Sequence, residues 1–304
     1  NATMMNYYSA MDRGNEALQD GVNLRLPSGS ALPWGNRDYD VNLMIADKAW
    51  DANGQLWFNP FNTDGFLGDQ ILVNWQYQPV LKVRARSYRF RILNGSVSRY
   101  FRMARVRQIN GSGGEFPGPA GSGISYNRVP FHLIANDGNI MAHSLPFDGS
   151  MDMDGDGDVQ DHNAILPVQG IAERYDIIVN FAKYGISTGD KIFLVNLMDH
   201  QTGKGPEKIE LSLADVLSEK YKATLKVTST GLKWENGDPA VGRFLQFLVQ
   251  PYAGQDQSMD PVAYEPAKPG KPAGKIMIPL TIDRDNPNDQ AKLATARHRE
   301  FIFG

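Results

Sequence analysis

The sequence predicts an all-β sandwich with long loops, on three observations. Short apolar or alternating runs recur between turn residues, which is the pattern of half-buried strands. Turn formers are plentiful, with 30 glycines and 18 prolines in 304 residues. No long run of 3.6-residue periodicity appears, and many short strands at such spacing point to a sandwich or barrel.

Residues 1–38 are polar and broken by Pro27, Gly29, Pro33 and Gly35, so they read as a connection, with a short helix near Met11 to Leu18. Residues 39–250 carry the strand-like text. Its runs are Val41 to Ala46, Leu56 to Phe58, Ile71 to Asn74 and the long alternating stretch Val80 to Leu93. Phe131 to Ala135, Tyr175 to Phe181, Lys191 to Leu197 and Tyr221 to Val227 follow, with a helical turn at Asp215 to Lys220. Two inserts interrupt them, a Gly/Ser/Pro-rich loop at 110–123 and an acidic loop at 148–163. Five prolines make 251–275 a linker rather than a central strand. Residues 276–304 hold two further strand-like runs, Ile276 to Ile282 and Arg297 to Phe303, and read as the start of a following domain. A chain opening Asn1-Ala2-Thr3 and stopping at Gly304 is expected to be processed, excised or partial.

Composition limits the chemistry. At about 150 residues per domain the length allows two units or one large one. The chain has no cysteine, which excludes disulfides, zinc ribbons, iron–sulfur clusters, thiolate copper and cysteine nucleophiles. Its five histidines (132, 143, 162, 200 and 298) lie more than four positions apart, so no His-X-His or HExxH pair exists. A net charge of −3 argues against nucleic acid as a partner. No stretch approaches the roughly 18 apolar residues of a membrane span. Gly-X-Ser-X-Gly, P-loop and dinucleotide fingerprints are all missing from the sequence. Asp137-Gly138 reads as a turn, His132 as a core or inter-strand histidine, and His200 and His298 receive no role.

The strongest motif is Asp152-Met153-Asp154-Gly155-Asp156-Gly157-Asp158-Val159-Gln160-Asp161. Aspartates at positions 1, 3 and 5 with glycine at 6 match the first half of an EF-hand loop. Such spacing aims several hard oxygens at one point. Asp158 could add its carbonyl, Gln160 could ligate directly or through water, and Asp161 extends the acidic set. Position 12 is Asn163 rather than glutamate, and the flanks are not helical, so the expectation is a calcium loop on β scaffolding. Oxygen ligands favour calcium, although His162 leaves other metals open. The competing reading is a solvated acidic loop.

A second cluster, Lys82, Arg84, Arg86, Arg89, Arg91, Arg99, Arg102, Arg105 and Arg107, has no acid within it. Lys82, Arg84 and Arg86 alternate as on a solvated strand face. The stretch therefore reads as salt bridging between domains rather than as a phosphate track.

Several phrases occur in a recognisable order: Ile45-Ala46-Asp47-Lys48-Ala49-Trp50-Asp51, then Gly65-Phe66-Leu67-Gly68-Asp69-Gln70-Ile71-Leu72-Val73-Asn74. Pro79-Val80-Leu81-Lys82-Val83 and Tyr88-Arg89-Phe90-Arg91-Ile92-Leu93-Asn94-Gly95-Ser96 follow. Ile134-Ala135-Asn136-Asp137-Gly138 and Ala172-Glu173-Arg174-Tyr175-Asp176-Ile177-Ile178-Val179 complete the series. Over roughly residues 39 to 200 this resembles the middle cupredoxin domain of multicopper oxidases of the bacterial laccase, bilirubin oxidase and phenoxazinone synthase kind. The resemblance implies a cupredoxin-like Greek-key sandwich held between two copper-binding cupredoxin domains, which would be its partners. It implies a parent that oxidises a phenolic or metal-ion reductant and reduces dioxygen to water, outside the cytoplasm. The family's His-X-His pairs and His-Cys-His run do not occur here, so no copper ligand carries over and the chain alone should not be catalytic. The acidic insert departs from the family pattern and suggests a branch related to bacterial manganese oxidases. A non-enzymatic calcium-binding β-domain for assembly or adhesion is the alternative.

Overall fold

A computed structural model describes residues 24–27, 39–59, 61, 64–109, 125–207, 211–218, 220–229 and 231–277, with Pro287, Gln290, Ala291 and Ala294. The expected helix at 11–18, the Gly-rich loop 110–123 and the run 297–303 lie outside the described residues.

In chain order the strands are β1 (Asp40–Trp50), β2 (Leu56–Trp57), β3 (Gln70–Val73), β4 (Gln76–Tyr77), β5 (Val80–Arg84), β6 (Ser87–Asn94), β7 (Met103–Gln108) and β8 (Tyr126–Arg128). There follow β9 (His132–Asn136), β10 (Asn139–Pro146), β11 (Arg174–Asn180), β12 (Lys191–Asn196), helix α1 (Leu213–Leu217), β13 (Thr224–Thr228), β14 (Gly231–Glu235) and β15 (Gly242–Gln250). One mixed sheet runs β10-β9-β11-β6-β1-β3-β4, with β2 on β1; the other runs β5-β15-β12-β7-β8. β13 and β14 form a separate hairpin. The fold is all-β and cupredoxin-like, a two-sheet sandwich.

Side-chain alternation explains the layering. In β6, Tyr88, Phe90 and Ile92 point inward while Arg89 and Arg91 point out. Parallel β1 matches it with Val41, Leu43 and Ile45 inside. Phe90 meets Phe247 of β15 across the sandwich, ring centroids 5.2 Å apart, so aromatic packing joins the two sheets. Each sheet is also covered on its outer face. Ile134 and Ile178 pack against Leu24, Met259, Tyr264 and Met277, and Phe193 and Val195 pack near Val216 of α1.

The alternating stretch 80–93 divides between the sheets. Ala85 and Arg86 break it, placing β5 beside β15 and β6 beside β1. Asp137 (φ 50°) and Gly138 (φ 83°) make the left-handed turn between β9 and β10. Residues 276–277 are irregular, and Met277 donates its N–H to the Ala142 carbonyl at 2.8 Å. Among the described residues no helix is long and apolar enough to cross a membrane.

Candidate functional site

The acidic loop leaves β10 and is pinched at its neck, where Asp148 bridges Asn163. Its carboxylates first organise their own backbone. Asp152 accepts the N–H of Gly155 at 2.7 Å and of Gly157 at 2.9 Å. Asp156 accepts from Asp158, and Asp158 from Gln160. Gly155 (φ 84°) and Gly157 (φ 93°) supply left-handed turns that side chains resist.

This winding brings together Asp152, Asp154 and His162 in one set and Asp154, Asp156 and Asp161 in another, each with donor atoms within 4.8 Å of one another. Asp154 belongs to both. His162 Nε2 is 3.4 Å from Asp154 and 3.7 Å from Asp161. Desolvation opposes the Asp154 charge, but the Asp156 N–H, His162 and Asp152 together outweigh it and hold its pKa below the ordinary value. Asp158 falls outside both sets, and Gln160 has partners of its own. The Gln160 carbonyl accepts from Arg128, and its amide oxygen accepts from Asn163 Nδ2 at 3.1 Å. Arg102, just before β7, pairs with Asp161 at 3.4 Å. Sequence reading missed these two arginines as neighbours of the loop, because the contacts that bring them to it span 59 positions for Arg102 and 32 and 35 for Arg128. The arrangement offers carboxylate oxygens and one imidazole to a hard divalent ion.

Much of the basic cluster pairs with carboxylates of the chain itself. Arg86 is fully buried against Asp256 rather than on a solvated strand face, Arg89 pairs with Asp176, and Arg107 pairs with Asp190. Arg99 sits between Asp47 and Asp238, all three buried. Burial alone would lower its pKa; Asp238 and Asp47 reverse that and hold it above its ordinary value.

The histidines serve separate tasks. His132 is buried on β9 with Nε2 2.9 Å from Glu265 Oε1. His143 Nδ1 lies 3.1 Å from the Tyr264 carbonyl. His200, also buried, accepts the Tyr100 N–H at Nε2 (3.2 Å). Among the described residues, three or more His, Asp or Glu donors converge only in the acidic loop. His298 lies outside the described residues.

No family model matches the chain. It is 32% identical over 168 residues to a bilirubin oxidase of Albifimbria verrucaria, covering 55% of this chain and 23% of the relative. Over 182 residues it is 28% identical to a laccase of Bacillus subtilis (strain 168), covering 56% and 28% respectively. It is also 36% identical over 107 residues to the cell division protein FtsP of Sodalis glossinidius, covering 34% and 22%. The chain thus spans about a quarter of the length of these curated relatives. The crystal structure of the McoA multicopper oxidase from Aquifex aeolicus aligns with 82% of this chain and 36% of its own, at 22% identity and a TM-score of 0.45. Over about half of its length, this chain is a homologue of multicopper oxidases.

Proposed function

We propose that the chain is the central segment of a multicopper oxidase, supplying scaffold rather than copper ligands. The observation that carries this reading is the 168-residue relationship to bilirubin oxidase, which takes up only 23% of that relative. The donor chemistry agrees with a scaffold role. The sequence has no cysteine, and the described histidines are tied to different partners in different parts of the fold. These residues do not fit a copper centre, so no copper step is assigned to them. The parent would oxidise a phenolic or metal-ion reductant outside the cytoplasm and reduce dioxygen to water, with the copper on neighbouring cupredoxin domains.

In this reading the loop 148–163 binds calcium, with Asp152, Asp154, Asp156 and Asp161 as ligands and His162 beside them. The ion would neutralise carboxylates that repel one another and would fix the segment joining β10 to β11. Its role is structural.

The test is metal analysis and dioxygen uptake, on the isolated chain and on the longer native polypeptide. The longer protein should bind copper and consume dioxygen with a phenolic reductant, while the isolated chain does neither. Stoichiometric copper on the isolated chain would sink the scaffold assignment. The second reading is a non-enzymatic calcium-binding domain used in assembly or adhesion. That reading holds if the native protein carries no copper and no oxidase activity.

A further inference from the structure

A cavity of about 760 Å³ opens between the sandwich and the β13–β14 hairpin, remote in sequence from the acidic loop. Trp234 of β14 stands on its wall, the indole Nε1 3.3 Å from Asp69 Oδ2. Three aspartates belong to the lining, and they differ in how their charge is met. Asp238 is paired with Arg99 and accepts the backbone N–H groups of His200 and Ala240 at 2.9 Å each. Asp69 and Asp199 have no ion pair among the described residues, and Oδ1 of each is buried without a hydrogen-bond partner. Asp199 is only 1% exposed.

The neighbouring bases do not cancel this charge. Arg99 is already shared by Asp47 and Asp238. Burial and Arg99 push the His200 pKa down, so its ring is neutral near pH 7. Lys233 is exposed, with its charge screened by solvent. Carboxylates set under a low-dielectric floor project their field into a cleft without touching its occupant. An indole face adds to the attraction for a cation. The converging three-donor groups found among the described residues lie in the acidic loop and not here, which argues against a single metal ion. The volume suits a small organic molecule, for which pockets run roughly 300–1,000 Å³.

We propose that this cavity binds a small organic cation, an ammonium carried on an apolar or aryl body. Asp69 and Asp199 provide the field and Trp234 the π-face. The site stands independently of the oxidase reading.

Calorimetric titration of the intact chain with 2-phenylethylammonium and its neutral counterpart 2-phenylethanol tests it. The ammonium should bind, more weakly as salt rises, and the alcohol should bind about tenfold more weakly or worse. Asp199→Asn should weaken ammonium binding about tenfold, one step of 1.4 kcal/mol. Trp234→Leu, on the half-exposed hairpin, provides a second variant should Asp199→Asn fail to fold, and it should weaken binding as well. Equal binding of alcohol and ammonium, no binding of the ammonium, or wild-type binding in a folded variant would each overturn the proposal.

Discussion

Arg99 and Asp47 form a salt bridge, Nε to Oδ2 at 3.0 Å, with both side chains sealed from solvent. The same guanidinium reaches Asp238 and donates Nη2 to the Gly68 carbonyl at 3.0 Å. One side chain therefore ties β1, the loop before β3 and the segment before β15. Removing it leaves two buried carboxylates without a counter-charge. Arg99→Met should cost about 3–5 kcal/mol. Urea unfolding of the variant measures this; a loss under about 1 kcal/mol, within the range of exposed pairs, would contradict the network's role.

Glu265 ties the proline-rich segment to the sandwich. Burial would raise its pKa, but hydrogen bonds from His132, Lys268 and Lys271 outweigh that and bring it down to about 2. Its folded value is thus depressed below the ordinary 4.5. The stabilisation is present above pH 4.5 and is lost as pH falls toward 2. Glu265→Gln should remove about 3 kcal/mol at neutral pH and flatten the acid limb over that window. An acid limb as steep as that of the wild type would show that other carboxylates set it.

Much of the sandwich was legible because strand alternation is local. β6, β9, β11 and β12 fall where apolar residues recur. What was not legible is what sheets do at a distance. The run 80–93 read as one stretch although its phase reverses at Ala85 and Arg86, where the chain changes sheet, and β15 was overlooked although it lies inside its sheet, between β5 and β12. Arg89, Arg102 and Arg107 look like part of a surface stripe in sequence because their partners, Asp176, Asp161 and Asp190, are far along the chain. The spacing of the acidic loop pointed to Asp152, Asp154 and Asp156 gathering and to His162 beside them, but not to how the donors group, which depends on the winding above the neck bridge between Asp148 and Asn163. The cavity under the hairpin left no motif because its residues come from five separate segments.

Arg105 is buried with no carboxylate beside it among the described residues. Its Nη1 donates to the Pro130 carbonyl at 3.0 Å and its guanidinium lies 4.9 Å from the Phe181 ring centroid, while Nε and Nη2 have no partner. Burial pushes its pKa down to about 9. A lone charge in that position costs more than its contacts return. Arg105→Met, with similar reach and no charge, should leave stability unchanged or raise it by about 1–4 kcal/mol. Thermal melting distinguishes this from the loss expected if the cation were structurally required.

The acidic loop gives a metal-dependent prediction. If the loop binds calcium as proposed, the ion at a hundredfold excess over its dissociation constant would stabilise the folded chain by about 2.7 kcal/mol through mass action. Chelator should therefore lower the melting temperature, and Asp154→Asn, altering the carboxylate common to both donor sets, should abolish the difference. A melting temperature indifferent to both calcium and chelator would leave the loop a solvated acidic turn.

Gly68 is constrained by space rather than by conformation. A Cβ there would stand 2.4 Å from the Lys48 nitrogen and 2.5 Å from its carbonyl carbon and oxygen, backbone atoms that cannot turn aside. Its N–H also donates to Asp47 Oδ2 at 2.7 Å, so any shift of Gly68 disturbs the acceptor that Arg99 needs. Gly68→Ala should cost about 3 kcal/mol, the upper part of the range for overpacking. Gly205→Ala is the control, because its Cβ would enter open space at an ordinary φ, and it should change stability by less than about 0.5 kcal/mol. Equal melting temperatures for the two variants would mean that the chain at Gly68 can move away from Lys48 without releasing Asp47, and the close approach of the two backbones would then not be what fixes glycine at this position.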